Sequence, residues 1–468
     1  MAELVDALDL GSSSRKGVGV RFPPLVPNWG APIMMRQKEG ESSSRQIHPQ
    51  SQTLLFSVTI KHKTVQSLYK HTLELYSKGL SGHRKEQGAI SITYAELTAK
   101  NAIMEHVRKF LIHHIALDKL YKALCKNSTL PVGTPQLLET VDQKNGSIIF
   151  TFCCSSANAI QIDAWNKLPF RAPRRKQYKD IDRQVDNCIQ EEVENTQKYK
   201  CEPAAKGDWV RFTLTLANEK GKAVLTNKKA DLWIKIGYEE ADLATRELFI
   251  GKKVGETFVS ASPSLQYYSL SSQFTLPYTY KVAIKTIVPE AYIEWKDLKK
   301  HFELTSDTQL RSKLAEIFSF RNDISQRRET VEAALHTIIT NYTPEIPSSV
   351  ILRQKQVILD ELILTPDYLV YKAHPEFAEM VTLLAIKQLQ EKYIVDLIAK
   401  TSEAVATDQD IKLYIQLHQR PRTKELIYFD MPESKVAQQE HTLSHELVRQ
   451  HCIREKILNS IIRTLKNK

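Results

Sequence analysis

The order of apolar and polar positions divides the chain into parts with different local patterns. Residues 54–60 alternate and favour β-branched side chains, which predicts a strand. Apolar residues at helical spacing then predict a helix that ends near Ser77, where glycines interrupt the pattern. A long helical stretch over about 94–125 and a strand over 147–153 follow. This order of strand, helix, loop, helix and strand indicates a compact α+β domain.

The pattern changes after a proline-punctuated basic linker at 169–176. A helix over about 180–198 leads to short β-type runs, and helical periodicity dominates from Asp297 onward. The predicted strands of this part cover 207–216, 231–237 and 277–288, and the predicted helices cover 309–341, 347–364, 375–400, 408–419 and 437–465. We therefore predict a multidomain α+β fold with an α+β head, a small, mainly antiparallel β domain and an extended all-α C-terminal domain.

These patterns predict the following segments: an N-terminal extension at 1–50, the head at 51–168, a basic linker and connecting helix at 169–200, the β domain at 201–290 and the helical domain at 291–468. The extension is expected to be disordered or mistakenly translated. It is rich in Gly, Ser and Pro, it lacks the apolar stretch of a secretory signal, and its first 13 residues resemble a conceptual translation of a transfer-RNA gene. We hypothesise that translation starts at Met34 or Met35. Peptides from residues 1–33 in mass spectrometry would refute that start.

Almost all of the net positive charge lies in the head. Residues 51–180 contain 19 Lys and Arg against 9 Asp and Glu, whereas residues 181–468 contain 40 of each sign. The basic sequence Gly82-His83-Arg84-Lys85 lies within the head, between two helical patterns. A basic surface at one end of an otherwise neutral chain indicates docking on a polyanion. The alternative is an ordinary solvated loop.

Several kinds of chemistry have no motif in this sequence. The sequence has no GxxxxGK[ST] phosphate loop, no HExxH, no GxSxG and no CxxC pair, and no apolar run long enough to cross a membrane. Its six cysteines have no regular spacing and are typical of reduced thiols in a cytosolic protein. We expect no metal and no cofactor. The nearest metal-like group consists of His441, His445, His451 and Cys452, which more simply forms a solvated polar face, and His113-His114 is interpreted as helix filler.

Several motifs in the same order resemble the trigger factor family of ribosome-associated folding chaperones. The family signature Gly-Phe-Arg-x-Gly-Lys-x-Pro corresponds to 82–89, where Gly82 and Arg84 match and four positions differ. The other matching segments are Asp182-Arg183-Gln184-Val185-Asp186, Gly207-Asp208-Trp209-Val210, 251–258 (GKKVGETF) and 341–351 (NYTPEIPSSVI). The resemblance covers about residues 54–465.

The resemblance implies that the β domain is similar to FKBP-type peptidyl-prolyl isomerases. Such a site twists an X–Pro bond in a dry aromatic pocket, which lowers a barrier of about 18–20 kcal/mol. The pocket positions of the family correspond here to Leu214, Val224, Leu225, Asp242, Thr245 and Tyr280. Only Tyr280 is aromatic, and Asp242 and Thr245 add polarity to a site that must exclude water. We therefore expect isomerase activity to be weak or lost.

The resemblance also implies an ATP-independent chaperone of the cytoplasm that docks at the ribosomal tunnel exit and holds nascent polypeptides. Gly82, His83, Arg84 and Lys85 would contact ribosomal RNA and protein. Candidate client contacts in the helical domain are Val357, Ile358, Leu362, Leu383, Ile386 and Leu389, whose alternative role is packing between helices. The family adds roles in protein transport and cell division, a weak homodimer off the ribosome, and no membrane partner. The alternatives are a nucleic-acid-binding regulator and a dedicated proline isomerase.

Overall fold

The fold is described from a computed structural model of the chain. The described residues are 43–47, 53–83, 92–126, 130–157, 160–174, 179–199, 202–218, 220–225, 229–262, 265, 278–321, 323–436 and 439–466. The predicted N-terminal extension therefore lies outside the described residues, apart from 43–47.

The head is an α+β unit built on a four-stranded antiparallel sheet of order β1-β2-β4-β3. Alternate residues of the central strands face the helices, so that Phe56 pairs with Phe152 and Val58 with Phe150 in the core. The elements are β1 (Ser43–Ile47), β2 (Thr53–Ile60), α1 (His62–His83), α2 (Ile92–Leu111), a π turn (Ile112–Ala116), α3 (Leu117–Lys126), β3 (Gln136–Asp142) and β4 (Ile148–Ser155).

Two features of the head differ from the sequence prediction. Helix α1 continues to His83, so the predicted end near Ser77 is wrong. Strands β1 and β3 were not predicted, because both are edge strands of the sheet and lack the apolar run of a buried strand. The long helical stretch is present, but the π turn divides it into α2 and α3.

The middle of the chain forms a five-stranded antiparallel sheet of order β13-β6-β5-β8-β7. The edge strand β13 comes from far along the chain. In it, Leu443 pairs with Trp233 and Ser444 pairs with Leu232 of β6. The middle sheet is preceded by helix α4 (Lys179–Lys198), and its elements are β5 (Trp209–Ala217), β6 (Ala230–Lys235), α5 (Leu243–Phe249), β7 (Thr257–Ser260), β8 (Thr279–Val288) and β13 (Leu443–Ser444).

The C-terminal region is predominantly helical, as predicted. Its helices are α6 (Trp295–His301), α7 (Asp307–Phe318), α8 (Gln326–Tyr342), α9 (Ser348–Leu362), α10 (Tyr368–Lys372), α11 (Phe377–Thr401), α12 (Asp408–His418), α13 (Pro421–Lys424) and α14 (His445–Lys466). The short strands are β9 (Phe320–Arg321), β10 (Ile324–Ser325), β11 (Lys435–Val436) and β12 (Gln439–Glu440).

Two predicted helix boundaries in this region are wrong. The single helix over 309–341 is divided into α7 and α8 by the β9–β10 hairpin, where Asp323 adopts a left-handed backbone with φ of 60°. The last helix begins at His445 rather than near 437, because the preceding residues form strands.

The middle sheet is covered on both faces. Val210, Phe212, Leu214 and Leu216 alternate along β5 and join the same apolar cluster as the head core. Trp209, on the opposite face of β5, joins the cluster formed by the C-terminal helices. The head thus packs on one face of the middle sheet and the C-terminal helices pack on the other. Strand β13 of the C-terminal region pairs with its edge.

Candidate functional site

The candidate isomerase positions include three that line one small cavity on the middle sheet. Leu214 on β5, Leu225 after the β5 turn and Tyr280 on β8 face this cavity and are nearly fully buried. The cavity encloses about 20 Å³, which is room for one water molecule. Its remaining lining residues are Phe110, His114, Leu216, Lys229 and Ala230.

The turn that follows β5 positions the next pair of candidate residues. The backbone amide of Val224 donates to the Leu216 carbonyl at 2.9 Å, which holds the turn against the end of β5. Val224 itself is half-buried and packs against the same apolar cluster without lining the cavity. Leu225 therefore contributes to the cavity wall and Val224 to its surroundings.

Asp242 and Thr245 lie away from this cavity. Both are fully buried. Asp242 ends the turn that leads into helix α5, and Thr245 lies in the first turn of that helix. The Oδ1 atom of Asp242 accepts a hydrogen bond of 2.7 Å from the backbone amide of Glu440, 198 residues later. The structure therefore gives Asp242 a contact with strand β12 of the C-terminal region, which sequence spacing could not indicate.

Two further cavity residues belong to the head rather than to the middle sheet. Phe110 lies near the end of helix α2, and His114 lies in the π turn, where its ring stacks on Phe110 at a centroid distance of 4.1 Å and an angle of 21°. Burial, with a contribution from His113, lowers the pKa of His114 to about 3, so the ring is neutral. The sequence interpretation treated this histidine as filler, because nothing local marks a contact with a strand about 100 residues away.

The predicted ribosome-docking residues lie at the end of helix α1 and beyond it. The backbone of Gly82 and His83 forms the end of α1, and Arg84 and Lys85 lie outside the described residues. Elsewhere on the head, Lys61, Lys63 and Lys100 are exposed. The head also exposes Tyr94 and Leu97 on α2, at 58% and 80%.

The predicted client-contact residues differ in exposure on the helical hairpin formed by α9, α10 and α11, residues 348–401. Val357 and Leu383 are about half exposed, Ile386 is intermediate, and the buried residues are Ile358, Leu362 and Leu389. Other exposed apolar side chains on this hairpin were not singled out from the sequence: Leu352, Ile363, Leu364, Leu369 and Val370. Leu369 and Val370, at 75% and 72% exposure, form the most exposed pair.

The histidines near the C-terminus have separate contacts. His445 begins helix α14, so His441 does not share a helix face with it. The Nδ1 atom of His445 accepts a 2.9 Å hydrogen bond from the Trp233 indole. His451 contacts the Asp430 carbonyl oxygen through Nδ1 at 2.8 Å. Within the described ranges no three His, Cys, Asp or Glu side chains gather as a metal site, and none of the helices there is long and apolar enough to cross a bilayer.

Comparison with known proteins identifies a relative of similar length. The chain is 24% identical over 488 residues to trigger factor of Aquifex aeolicus (strain VF5), and the match covers 100% of this chain and 95% of that protein. No protein-family model matches the chain. A solved structure described as "Promiscuous Substrate Recognition in Folding and Assembly Activities of the Trigger Factor Chaperone" is 14% identical, with a TM-score of 0.36, and the similarity covers 90% of this chain and 99% of that one.

The sequence match extends over the head, the middle sheet and the helical region alike. It therefore agrees with the motifs that run in the same order from the head to helix α9. The resemblance predicted from those motifs is confirmed: along its full length this chain is similar to trigger factor, at a low level of identity.

Proposed function

We propose that this chain is an ATP-independent, ribosome-associated chaperone of the cytoplasm that holds and helps to fold nascent polypeptides. The observation that carries the proposal is the apolar surface of the α9–α11 hairpin, seen together with the full-length similarity to trigger factor. This hairpin packs on a small core of its own, which includes Ile358, Leu362 and Val381. A core of that size leaves several large apolar side chains in water.

Such a surface suits weak, reversible binding of many sequences. Burying one exposed leucine gains about 1.5–3 kcal/mol, whereas association costs about 4–15 kcal/mol in lost freedom. A client must therefore cover several of these side chains at once, and no single one determines the sequence that binds. Release then follows client folding, which buries the client's own apolar groups.

Substitution of its most exposed apolar pair, Leu369 and Val370, tests whether the hairpin surface binds clients. Leu369→Ser with Val370→Ser in the full chain is expected to reduce suppression of aggregation of a chemically denatured enzyme several-fold. Glu376→Ser with Glu379→Ser alters two exposed polar residues on the same hairpin and serves as the matched control. Equal suppression by both double variants would contradict a client role for the apolar pair.

Ribosome docking is proposed for the basic end of the head. Lys and Arg make phosphate contacts that do not depend on sequence, which suits ribosomal RNA. Charge reversal of Arg84 and Lys85 is expected to abolish cosedimentation with ribosomes. The control reverses Lys61 and Lys63, which are exposed at the start of α1 on the same head. Loss of binding in both variants would assign docking to the overall charge rather than to this segment.

For the middle sheet we propose a structural or client-contact role with weak or no isomerase activity. On the sheet side, Tyr280 is the one aromatic residue that lines the cavity, and the cavity has room for about one water, which is too little for an X–Pro segment. An assay of the full chain on a proline tetrapeptide should show turnover far below that of an FKBP-type enzyme. Turnover at the level of that enzyme would restore the dedicated isomerase as the better proposal.

A nucleic-acid-binding role is the second candidate, favoured by exposed Tyr94 and Leu97 on the basic head. Exposed aromatic side chains beside cations can stack on unpaired bases. Binding should be compared for isolated RNA, intact ribosomes and a denatured polypeptide. Tight binding to isolated RNA without ribosome or polypeptide binding would favour the regulator over the chaperone.

A further inference from the structure

The head of this protein covers the face of the middle sheet that carries three of the candidate isomerase positions, Leu214, Leu225 and Tyr280. Phe110 and His114 of the head lie over Leu214, Leu225 and Tyr280 and complete the walls of their cavity. Phe110, Leu214 and Tyr280 are each exposed by 3% or less. The contact is therefore a packed interface and not a loose approach of two surfaces.

The edge of the same contact is held by polar and aromatic groups. The hydroxyl oxygens of Thr72 on α1 and Tyr278 lie 3.0 Å apart. The Tyr278 ring also lies 5.8 Å from the Phe110 ring and 6.1 Å from the His71 ring, measured between centroids. Tyr278 thus contacts both helices of the head hairpin immediately before strand β8 begins.

The π turn gives the head side of this contact its shape. A π turn widens the helix by one residue and is frequent at functional sites. Here it occupies Ile112–Ala116, between α2 and α3. It brings His114 beneath Phe110, so that two stacked rings are presented to the sheet.

Among the described residues, the closed arrangement leaves no space for a substrate at this cavity. Small-molecule sites measure about 300–1,000 Å³, whereas the volume left between the head and the sheet is about 20 Å³. An X–Pro segment could reach Leu214 and Tyr280 only after Phe110 and His114 had moved away.

We propose that the head is an intramolecular plug for the middle sheet. Phe110 and His114 occupy the position that an apolar, proline-containing polypeptide segment takes when the head separates from the sheet. The closed form then binds clients only through the α9–α11 hairpin, and the open form adds the sheet as a second client site. This inference deepens the proposed function, since it rests on the client-contact role proposed for the middle sheet.

The test uses the full chain with Phe110→Ala and His114→Ala, and measures two quantities. The first is anisotropy of a fluorescently labelled Ala-Leu-Pro-Phe tetrapeptide, and the second is the distance between spin labels on exposed Lys63 of the head and Lys281 of β8. Ile103→Ala is the matched control, because Ile103 is fully buried in α2 and packs between the head helices without lining the cavity. Tyr278→Ala opens the contact from the other side without changing a residue of the head, so it replaces the double variant if that one fails to fold.

A longer label distance together with at least tenfold tighter peptide binding, in the plug variants and not in Ile103→Ala, is the expected result. A longer distance without a gain in peptide binding would overturn the plug, because the uncovered sheet would then hold no client. Equal peptide binding by the wild-type chain and all variants would also overturn it. Aggregation suppression through the hairpin is measured in parallel, and its loss or retention reports on the chaperone proposal separately.

Discussion

The Thr72 hydroxyl accepts a hydrogen bond from the Tyr278 hydroxyl across the contact between the head and the middle sheet. The two oxygens lie 3.0 Å apart, and the residues are separated by 206 positions. Thr72 already donates its single hydroxyl proton to the Leu68 carbonyl at 2.8 Å, so Tyr278 must be the donor. Burial raises the pKa of Tyr278 to about 12, which keeps the donor proton in place throughout the neutral range.

Tyr278→Phe is expected to lower the free energy of unfolding by about 1 kcal/mol, because it removes this one hydrogen bond and little volume. The measurement is a urea titration followed by circular dichroism. Tyr94→Phe is the control. Tyr94 is 58% exposed, so removing its hydroxyl is expected to change the free energy of unfolding little. Equal midpoints for the two variants would show that the hydrogen bond adds nothing to stability.

Gly237 allows strand β12 to approach the middle sheet. A Cβ at this position would lie 1.8 Å from Oδ2 of Asp242 and 2.9 Å from Cγ of Glu440. Gly237→Ala is therefore expected to cost about 1–3 kcal/mol through overpacking. The double variant with Asp242→Ala should cost less than the sum of its two single changes, because the clash with the Asp242 carboxylate is then absent. Additive losses in a thermal unfolding series would contradict the clash.

The buried carboxyl of Glu455 is expected to make stability depend on pH. Its Oε1 accepts backbone hydrogen bonds from Tyr428, at 2.7 Å, and from Phe429. Burial raises the pKa of Glu455 to about 7. The charge of Arg327 lowers this pKa, and the charge of Asp430 raises it by a smaller amount. Glu455 also faces Tyr414, whose pKa is raised, mainly by burial.

The direction of this pH effect follows from proton linkage. The folded protein binds the Glu455 proton more tightly than the unfolded chain, so the contribution of Glu455 to stability is greatest below about pH 4.5 and is lost as the pH rises through about 7. From the pKa shift, the loss is on the order of 3 kcal/mol. Glu455→Gln keeps an acceptor for both amides, and it should flatten this part of the stability–pH curve. An unchanged curve in urea titrations between pH 4.5 and about 7.5 would exclude Glu455 as its source.

Val357 and Ile358 are adjacent on helix α9 and are expected to respond in opposite ways to truncation. Ile358 is 3% exposed in the hairpin core, so Ile358→Ala should lower the free energy of unfolding by about 2–4 kcal/mol. Val357 is 43% exposed, so Val357→Ala should leave stability within about 0.5 kcal/mol of wild type. Client binding, measured by suppression of aggregation at a temperature where both variants are folded, should decrease only for Val357→Ala.

Local periodicity in the sequence was sufficient to predict much of the secondary structure. The strands around Phe56, Phe150 and Phe212, and helices α4, α9, α11 and α12, lie close to their predicted positions. Each of these elements buries one face, and the spacing of apolar residues records that face directly. The order of motifs also indicated a resemblance to trigger factor, and the full-length match confirmed that resemblance.

Which surface covers each buried face was decided only by the tertiary structure. The sequence shows that Leu214 and Tyr280 face inward, but not that Phe110 and His114 of the head lie over them. It shows that helix α9 is amphipathic, but not that Val357 stays in water while Ile358 is buried. Periodicity reports which side of an element avoids water, whereas the group that replaces the water can come from anywhere in the chain. That choice depends on contacts between residues far apart in sequence, and no local pattern records them.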